Sequence, residues 1–223
     1  KKGMVAMKGS YHGKSFGALS LTFNPKYRKA FSPLVEKVSF ASFGDMDSLR
    51  SAIDEDTALI ILEPIQGESG IIVAPDGFLQ EVRNLCDEKG ILLVFDEIQA
   101  GLGRTGRLWA CDHWNTVPDI LCLAKGIAGG VPMGATLVKP GILAAISKGE
   151  HSSTFGGNPI SCAAGIAALT SITEDGLIEN SKKMGEIFRE GLEKLKEKHT
   201  MIRDIRGKGL MIGIEMKFEV KDI

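Results

Sequence analysis

The sequence predicts an α/β fold in which a mostly parallel sheet is covered by helices on both faces. Four short runs rich in Ile, Leu and Val have the character of buried strands. They are residues 4–7, 58–62, 91–95 and 120–124. Stretches with helical spacing, at residues 45–53 and 77–89, lie between them. Apolar strands that alternate with amphipathic helices are typical of parallel sheets buried on both sides, and the ligands of such sheets bind at the carboxyl ends of the strands.

The last third of the chain predicts a change of architecture. Small residues after Pro159 indicate a tightly packed helix, and a charged helix should follow from about Leu177 to His199. Two alternating segments, residues 202–205 and 210–216, predict a pair of strands joined at Gly207-Lys208-Gly209. We therefore divide the chain into a large domain, residues 1–169, and a second part, residues 170–223. The second part comprises linking helices and the start of a small α+β domain.

Composition narrows the class of function. The 223 residues are 43% hydrophobic and 25% charged, and the formal net charge is -1. We expect neither a nucleic-acid partner nor a membrane partner, because there is no basic field and no apolar run near the roughly 20 residues that span a bilayer. The four cysteines are scattered without a CxxC pair, which predicts buried free thiols and a cytoplasmic location. The start at Lys1-Lys2-Gly3 suggests a chain cut from something longer.

Three short patterns resemble known motifs but fit them poorly. Residues 101–106 match GxGxxG, yet five residues separate them from the preceding strand, so the first glycine misses the strand-to-helix turn. Residues 9–15 resemble a P-loop with one residue too few between the glycines. Cys111-Asp112-His113 has no second Cys/His pair at ligand spacing, so we expect no metal site there.

Two polar residues stand where apolar strands should end. Asp96 follows the third run and Lys125 follows the fourth, positions at which an α/β sheet presents side chains to a ligand. A lysine beside an apolar wall loses its proton more readily, which suits it to react with an aldehyde. Gly126, Gly129 and Gly130 leave room for a ligand. The pair predicts one cofactor site, where the carboxylate keeps a pyridinium nitrogen protonated and the amine carries an aldehyde.

At these residues the sequence resembles the class III (subgroup II) pyridoxal-phosphate aminotransferases, especially the acetylornithine, ornithine and diamine branches. The resemblance runs from about Met4 to Glu215 and includes seven motifs in order. They are Tyr11-His12-Gly13-Lys14, Glu63-Pro-Ile-Gln-Gly-Glu68, Asp96-Glu-Ile-Gln99, residues 101–106, Leu123-Ala-Lys125, Ser153-Thr-Phe-Gly-Gly-Asn-Pro159 and Arg206-Gly-Lys-Gly209. It implies the large domain of the fold type I pyridoxal-phosphate-dependent transferases, followed by the start of the small domain.

The resemblance implies roles around the cofactor, pyridoxal 5'-phosphate. Lys125 would hold the aldehyde and shuttle the proton between substrate and cofactor. Asp96 would pair with the pyridine nitrogen. Tyr11 would stack on one face of the ring and Ile98 would pack on the other, while Gln99 would approach the phenolic oxygen.

Further roles follow from the same resemblance. Thr154 would reach the cofactor phosphate of a neighbouring subunit, which makes a homodimer part of the active site. Glu68 resembles a glutamate that pairs with a substrate-binding arginine, and Lys14 occupies a substrate-binding position. Residues 101–106 become a structural and interface turn. The family's glycine-rich phosphate loop precedes the first of these motifs and its carboxylate-binding arginine follows the last, and both lie outside the 223 residues, so we expect residues 1–223 to be inactive alone.

The expected reaction moves the terminal amino group of an acetylornithine-type or carrier-bound lysine-type donor to 2-oxoglutarate, giving a semialdehyde and glutamate. Many amino-acid-specific relatives carry Arg where this chain has Lys14, and Lys lacks the bidentate fork that grips an α-carboxylate. A putrescine (diamine) or ornithine aminotransferase is therefore the alternative. Other classes also stay open: a pyridoxal-phosphate decarboxylase or aminomutase, a nucleotide-binding protein, and a cofactor-free structural remnant.

Overall fold

The computed structural model describes residues 1–220. The strands and α-helices of this part have the following bounds: β1 Gly3–Met7, α1 Phe16–Leu21, α2 Pro25–Arg28, β2 Val38–Ala41, α3 Met46–Ala52, β3 Thr57–Leu62, β4 Ile65–Gln66, β5 Ile72–Val73, α4 Phe78–Lys89, β6 Leu92–Asp96, β7 Ile120–Leu123, β8 Ala135–Val138, α5 Pro140–Leu143, α6 Pro159–Glu174, α7 Leu177–Lys198, β9 Ile202–Lys208 and β10 Met211–Met216. Short 3-10 turns occupy Lys29–Phe31, Ala110–Trp114 and Lys125–Ala128.

A mainly parallel sheet organises the first part of the molecule. Its strand order is β2-β1-β3-β6-β7-β8. All neighbours pair in parallel except β8, which runs antiparallel to β7. The four apolar runs form β1, β3, β6 and β7, so the predicted α/β class is confirmed. The edge strands β2 and β8 were not predicted, because both are partly exposed and carry no continuous apolar run.

Helix α4 supplies much of the core on one side of the sheet. Its buried residues recur at helical spacing: Phe78, Leu79, Val82, Leu85 and Cys86. Burying each such side chain stabilises the fold by roughly 1.5–3 kcal/mol. The helix ends at Gly90, whose φ of 58° is left-handed and suits a helix C-terminus. The chain then enters β6 directly, so the packing of α4 fixes the strand that carries Asp96.

The two faces of the sheet are buried unequally. Along β6, Leu93 and Phe95 join the large apolar cluster with α4, whereas Val94 points to a smaller cluster with Ala6 and Ile61. This alternation follows from the pleat of the strand. Partly buried residues such as Leu21 complete the second face. The larger core therefore lies on the α4 side.

The C-terminal elements form a helix pair and a hairpin. Helix α6 begins at Asn158, whose side chain accepts a hydrogen bond from the Ser161 amide at 2.9 Å. In the hairpin, β9 extends through Lys208, so its turn lies at Gly209-Leu210 instead of the predicted residues 207–209. The predicted domain boundary between residues 169 and 170 falls inside α6, and the division into two domains stays a prediction. The last three residues of the predicted second part, 221–223, lie outside the described residues. None of the helices within residues 1–220 has the length and apolar character needed to cross a membrane.

Candidate active site

Asp96 and Lys125 lie at the same edge of the sheet. Asp96 is the last residue of β6, and Lys125 follows Ala124 after the end of β7. The two strands are parallel neighbours in which Asp96 is paired with Cys122. Because the carboxyl ends of parallel strands meet at one edge, the structure places both residues where the sequence predicted a ligand.

The Asp96 side chain is buried and has two partners. Its Oδ1 accepts a hydrogen bond from the Ile98 amide at 3.0 Å, and its Oδ2 lies 2.8 Å from His12 Nδ1. His12 is buried as well, and its Nε2 has no hydrogen-bond partner within the described residues. The buried polar partner of the Asp96 carboxylate is therefore His12. Sequence reasoning quoted His12 only as part of a motif, because 84 residues separate it from Asp96.

Lys125 enters a cavity at the end of β7. Its Nζ donates a hydrogen bond to Gln99 Oε1 at 2.8 Å, and its φ of 47° is unusual for a residue other than glycine. The side chain is exposed, and the apolar residues of the cavity that it enters are Ile98 and Leu102. The cavity has a volume of about 400 Å³ and is lined by Glu68, Ile98, Gln99, Gly101, Leu102, Arg104, Lys125 and Gly126.

Gly67 and Glu63 hold the neighbouring loop close to this cavity. A Cβ on Gly67 would lie 2.6 Å from Gln99 Oε1, so only glycine leaves that amide in place. The buried Glu63 carboxylate accepts hydrogen bonds from the Tyr11 amide at 2.9 Å and the Gly67 amide at 3.1 Å. Burial raises the pKa of Glu63 above its usual value, and these two hydrogen bonds oppose that rise. Glu63 thus joins the loop of Tyr11 to the loop of Gly67, which lies against Gln99.

Glu97 organises the chain on the other side of Asp96. Its side chain is fully buried and accepts hydrogen bonds from the amides of Ala110, at 2.6 Å, and Cys111, at 2.7 Å. Burial raises the pKa of Glu97, while the two amide bonds oppose the rise. Sequence reasoning assigned no role to Glu97. Cys111 therefore belongs to a buried carboxylate contact, and no group of three or more metal-ligating side chains occurs in residues 1–220.

Tyr11 and Lys14 share one neighbour, Tyr27. The rings of Tyr11 and Tyr27 meet edge on, with centroids 5.7 Å apart. The Nζ of Lys14 lies 5.1 Å from the centre of the Tyr27 ring. A cation–π contact of this kind contributes about 0.5–1 kcal/mol at an exposed position. Tyr27 therefore sets the direction of Lys14, a contact that spacing along the chain does not reveal.

The structure brings together only part of the predicted site. Ile98, Gln99, Glu68 and Lys125 line one cavity, with Asp96 directly before it on the chain. The other predicted residues are not among its lining: Tyr11, Lys14 and Thr154. Thr154 is exposed on the segment before α6, and its predicted contact with a neighbouring subunit stays a prediction.

Residues 101–106 form a run of turns and do not open a helix, which is inconsistent with the dinucleotide fingerprint. They pack against α7 and the hairpin turn instead. A Cβ on Gly106 would lie 2.9 Å from Lys182 Cβ, and one on Gly103 would lie 3.3 Å from Ile178 Cγ1. The segment thus has the structural role that the resemblance implied.

Fold and site together define an α/β protein with a lysine and a carboxylate at the carboxyl ends of adjacent parallel strands. The model of the family "Aminotransferase class-III" matches residues 1–223. The chain belongs to the class III aminotransferase family, which confirms the resemblance inferred from its motifs.

Individual relatives agree with this assignment. The chain is 45% identical over 212 residues to an acetylornithine aminotransferase of Methanopyrus kandleri, covering 95% of this chain and 54% of that protein. It is 44% identical over 218 residues to a [LysW]-aminoadipate semialdehyde/glutamate semialdehyde transaminase of Sulfurisphaera tokodaii, covering 98% of this chain and 56% of that protein. The chain thus spans little more than half the length of these relatives.

A solved structure of an ornithine aminotransferase from Toxoplasma gondii, described as having partial occupancy of PLP at its active site, superimposes with a TM-score of 0.93. Sequence identity is 36%, and the match covers 96% of this chain and 51% of that one.

The residues of the site fit a pyridoxal-phosphate ring. A carboxylate offers about four acceptor positions, and the bonds of Asp96 to Ile98 and His12 use two of them. An N–H of a pyridinium can therefore still be accepted. The amine of Lys125 has one hydrogen-bond partner, Gln99, and reaches an open cavity. The sheet edge thus offers the cofactor a carboxylate with free acceptor positions and an amine that faces an open cavity.

Proposed function

We propose that this protein is a pyridoxal-phosphate-dependent aminotransferase that moves the terminal amino group of an acetylornithine-type or carrier-bound lysine-type donor to 2-oxoglutarate. The products would be a semialdehyde and glutamate. One observation carries the proposal. The exposed amine of Lys125 donates a hydrogen bond to Gln99 in a cavity beside the buried Asp96–His12 pair.

Each residue has a physical task in this proposal. Pyridoxal phosphate supplies an aldehyde for the amino group and a ring that withdraws electrons from the carbon beside it. Asp96, oriented by the Ile98 amide and by His12, would accept a hydrogen bond from the ring nitrogen and keep it protonated. The Nζ of Lys125 would take the proton from the amino-bearing carbon of the donor and pass it to the cofactor. Gln99 directs the Lys125 amine when no substrate is present.

The donor class is supported by the names of two relatives, an acetylornithine aminotransferase and a LysW-linked semialdehyde transaminase. Lys14 favours the alternative, a putrescine-type or ornithine aminotransferase. Its amine is a point charge over the Tyr27 ring and lacks the fork of an arginine. The subunit arrangement, with Thr154 facing the phosphate of a second copy, and the pairing of Glu68 with a substrate-binding arginine belong to the same proposal.

The proposal predicts that Lys125→Ala abolishes transamination. We would record visible absorption of the full-length protein with pyridoxal phosphate, before and after adding N-acetylornithine or putrescine. The unmodified protein should be yellow and lose the colour with its true donor, as the cofactor takes up the amino group. Lys125→Ala should lack the yellow band, whereas Lys183→Ala, an exposed lysine on α7, should keep it.

Three results would contradict the proposal. Absence of a yellow band in the cofactor-supplemented protein would show that no lysine of this protein holds the cofactor. A band that survives in Lys125→Ala would assign it to another amine. Regeneration of the aldehyde with release of carbon dioxide would indicate a decarboxylase, because a transaminase leaves the cofactor in its aminated form.

A further inference from the structure

A second cavity lies where three backbone segments meet, away from Lys125. It has a volume of about 280 Å³ and lies between residues 101–107, helix α7 and the β9–β10 hairpin. Glycines make this meeting possible. A Cβ on Gly185 would collide with the carbonyl oxygen of Gly209, and a Cβ on Gly209 would collide with the backbone of Thr105. The three segments are therefore in direct contact, and the side chains around them have fixed origins.

The lining of this cavity is strongly cationic. Its basic residues are Arg107, Lys182, Arg189, Arg206 and Lys208, and its one carboxylate is Glu186. Arg206 is neutralised, because its Nη1 lies 3.1 Å from an Asp204 oxygen and 2.6 Å from a Glu215 oxygen. The other four basic side chains make no ion pair within 4.0 Å in the described part of the chain.

Two of the four are held in place by uncharged groups. The Arg189 guanidinium donates to the carbonyl oxygens of Gly207, at 3.1 Å, and Ile205, at 3.3 Å. The Lys208 amine lies 5.2 Å from the centre of the Trp114 ring. These contacts orient the positive charges without cancelling them.

His113 also lines this cavity. Its Nε2 lies 3.1 Å from both the carbonyl oxygen and the hydroxyl of Thr105, which lines the cavity. The pKa of His113 is lowered, first by burial and then by the charges of Lys208 and Arg107, while Asp112 and the Thr105 contact oppose the shift. The positive charges of Lys208 and Arg107 thus act on the His113 ring.

The composition of the chain does not explain this concentration of charge. Lys and Arg number 27 and Asp and Glu number 28 over the whole sequence, so acidic partners are not scarce. Like charges that share a cavity repel one another. A bound anion would offset that repulsion.

We propose that this cavity binds a small, doubly charged oxyanion, either a phosphate or a dicarboxylate. Arg107 offers forked donors to the oxygens of the anion, and Lys182 and Lys208 offer point charges. Arg189 adds its positive charge while its Nη atoms stay bonded to the Gly207 and Ile205 carbonyl oxygens. The Arg206-Gly-Lys-Gly209 motif supplies the hairpin side of the cavity, and residues 101–106 supply the opposite wall. The site is separate from the Lys125 cavity, and the proposal does not depend on the transaminase function.

The test is an NMR titration of the His113 ring in the full-length protein. We would measure its pKa at constant ionic strength with chloride alone, with added inorganic phosphate and with added succinate. A bound dianion should raise the pKa of His113 saturably, whereas His151 and His199, which do not line the cavity, should not change. A response to only one of the two anions would identify the source of the charge.

Variants separate site binding from screening. Arg107→Gln and Lys208→Gln should each raise the anion concentration that half-saturates the His113 pKa shift at least tenfold. Lys208→Arg, which keeps the positive charge, should retain most of the affinity. Lys194→Gln, an exposed lysine of α7 outside the cavity, should behave as the unmodified protein. The proposal is overturned if neither anion shifts the pKa, if the shift never saturates, or if it persists in the Arg107→Gln, Lys208→Gln double variant.

Discussion

Acidic residues around the site bind backbone amides of neighbouring loops. Glu63 holds the amides of Tyr11 and Gly67, and Glu97 holds those of Ala110 and Cys111. Hydrogen bonds to a charged group contribute roughly 1.5–3 kcal/mol each. Buried carboxylates that do not themselves line the Lys125 cavity therefore fix the loops of Tyr11, Gly67 and Ala110.

Gly67→Ala should weaken the proposed reaction without unfolding the protein. The new Cβ would occupy the place of the Gln99 amide, 2.6 Å from its Oε1, and drive it off Lys125. Loss of about 1.4 kcal/mol corresponds to a tenfold change, so we expect transamination to slow by roughly tenfold. The rate of amino transfer in a single-turnover experiment measures this change.

The matched control is Gly17→Ala, where an added Cβ meets nothing within 4 Å. An unchanged rate in Gly67→Ala would show that the Gln99–Lys125 contact is dispensable.

At the scale of residues, the sequence predicted the ends of strands well and their partners poorly. Asp96 and Lys125 follow apolar runs, so their positions at strand ends could be predicted from the sequence. The pairing of Asp96 with His12 and of Lys14 with Tyr27 could not, because these contacts depend on how loops fold over the sheet. A histidine that follows a buried strand by a few residues was the one available signal.

At the scale of elements, the contact of α7 with the hairpin depends on a missing side chain. Alanine normally stabilises a helix interior by about 1 kcal/mol relative to glycine. At Gly185 the added Cβ would collide with the Gly209 backbone, which cannot rotate away. Overpacking costs about 1–3 kcal/mol and the helix propensity of alanine offsets about 1 kcal/mol of that cost, so Gly185→Ala should lower the free energy of unfolding by up to about 2 kcal/mol.

Gly191→Ala on the same helix is the control, because nothing lies within 4 Å of its added Cβ. It should stabilise the protein by about 1 kcal/mol. Urea titration of both variants measures the two changes in the free energy of unfolding. Equal effects of the two substitutions would show that α7 and the hairpin turn do not pack as described.

Element prediction succeeded where a strand contains a continuous apolar run. β1, β3, β6 and β7 each contain such a run, whereas β2 and β8 lie at sheet edges and are partly exposed. The antiparallel direction of β8 also had no local signal, since direction depends on the connection across the sheet. The hairpin turn was misplaced because Gly207 and Lys208 remain within strand β9.

At the scale of the whole molecule, the buried thiols should report global unfolding. Cys86 is fully buried, and burial raises its pKa to about 12. Burial also raises the pKa of Cys111. Since alkylation requires a thiolate, both should resist iodoacetamide at neutral pH until the protein unfolds, and peptide mass mapping over a urea series checks this.

The half-buried Cys162 provides the internal comparison. It should be labelled well before Cys86 and Cys111. Early labelling of Cys86 would show that α4 detaches from the sheet without global unfolding.

The left-handed backbone of Lys125 sets folding against chemistry. A residue with a side chain in this conformation costs about 1–2 kcal/mol, a cost that glycine avoids. Judged by stability alone, position 125 would therefore suit glycine better than lysine. The protein keeps a locally unfavourable residue at a position from which an amine extends beyond the strand end, so a search for more stable variants would tend to discard the residue that the proposed reaction requires.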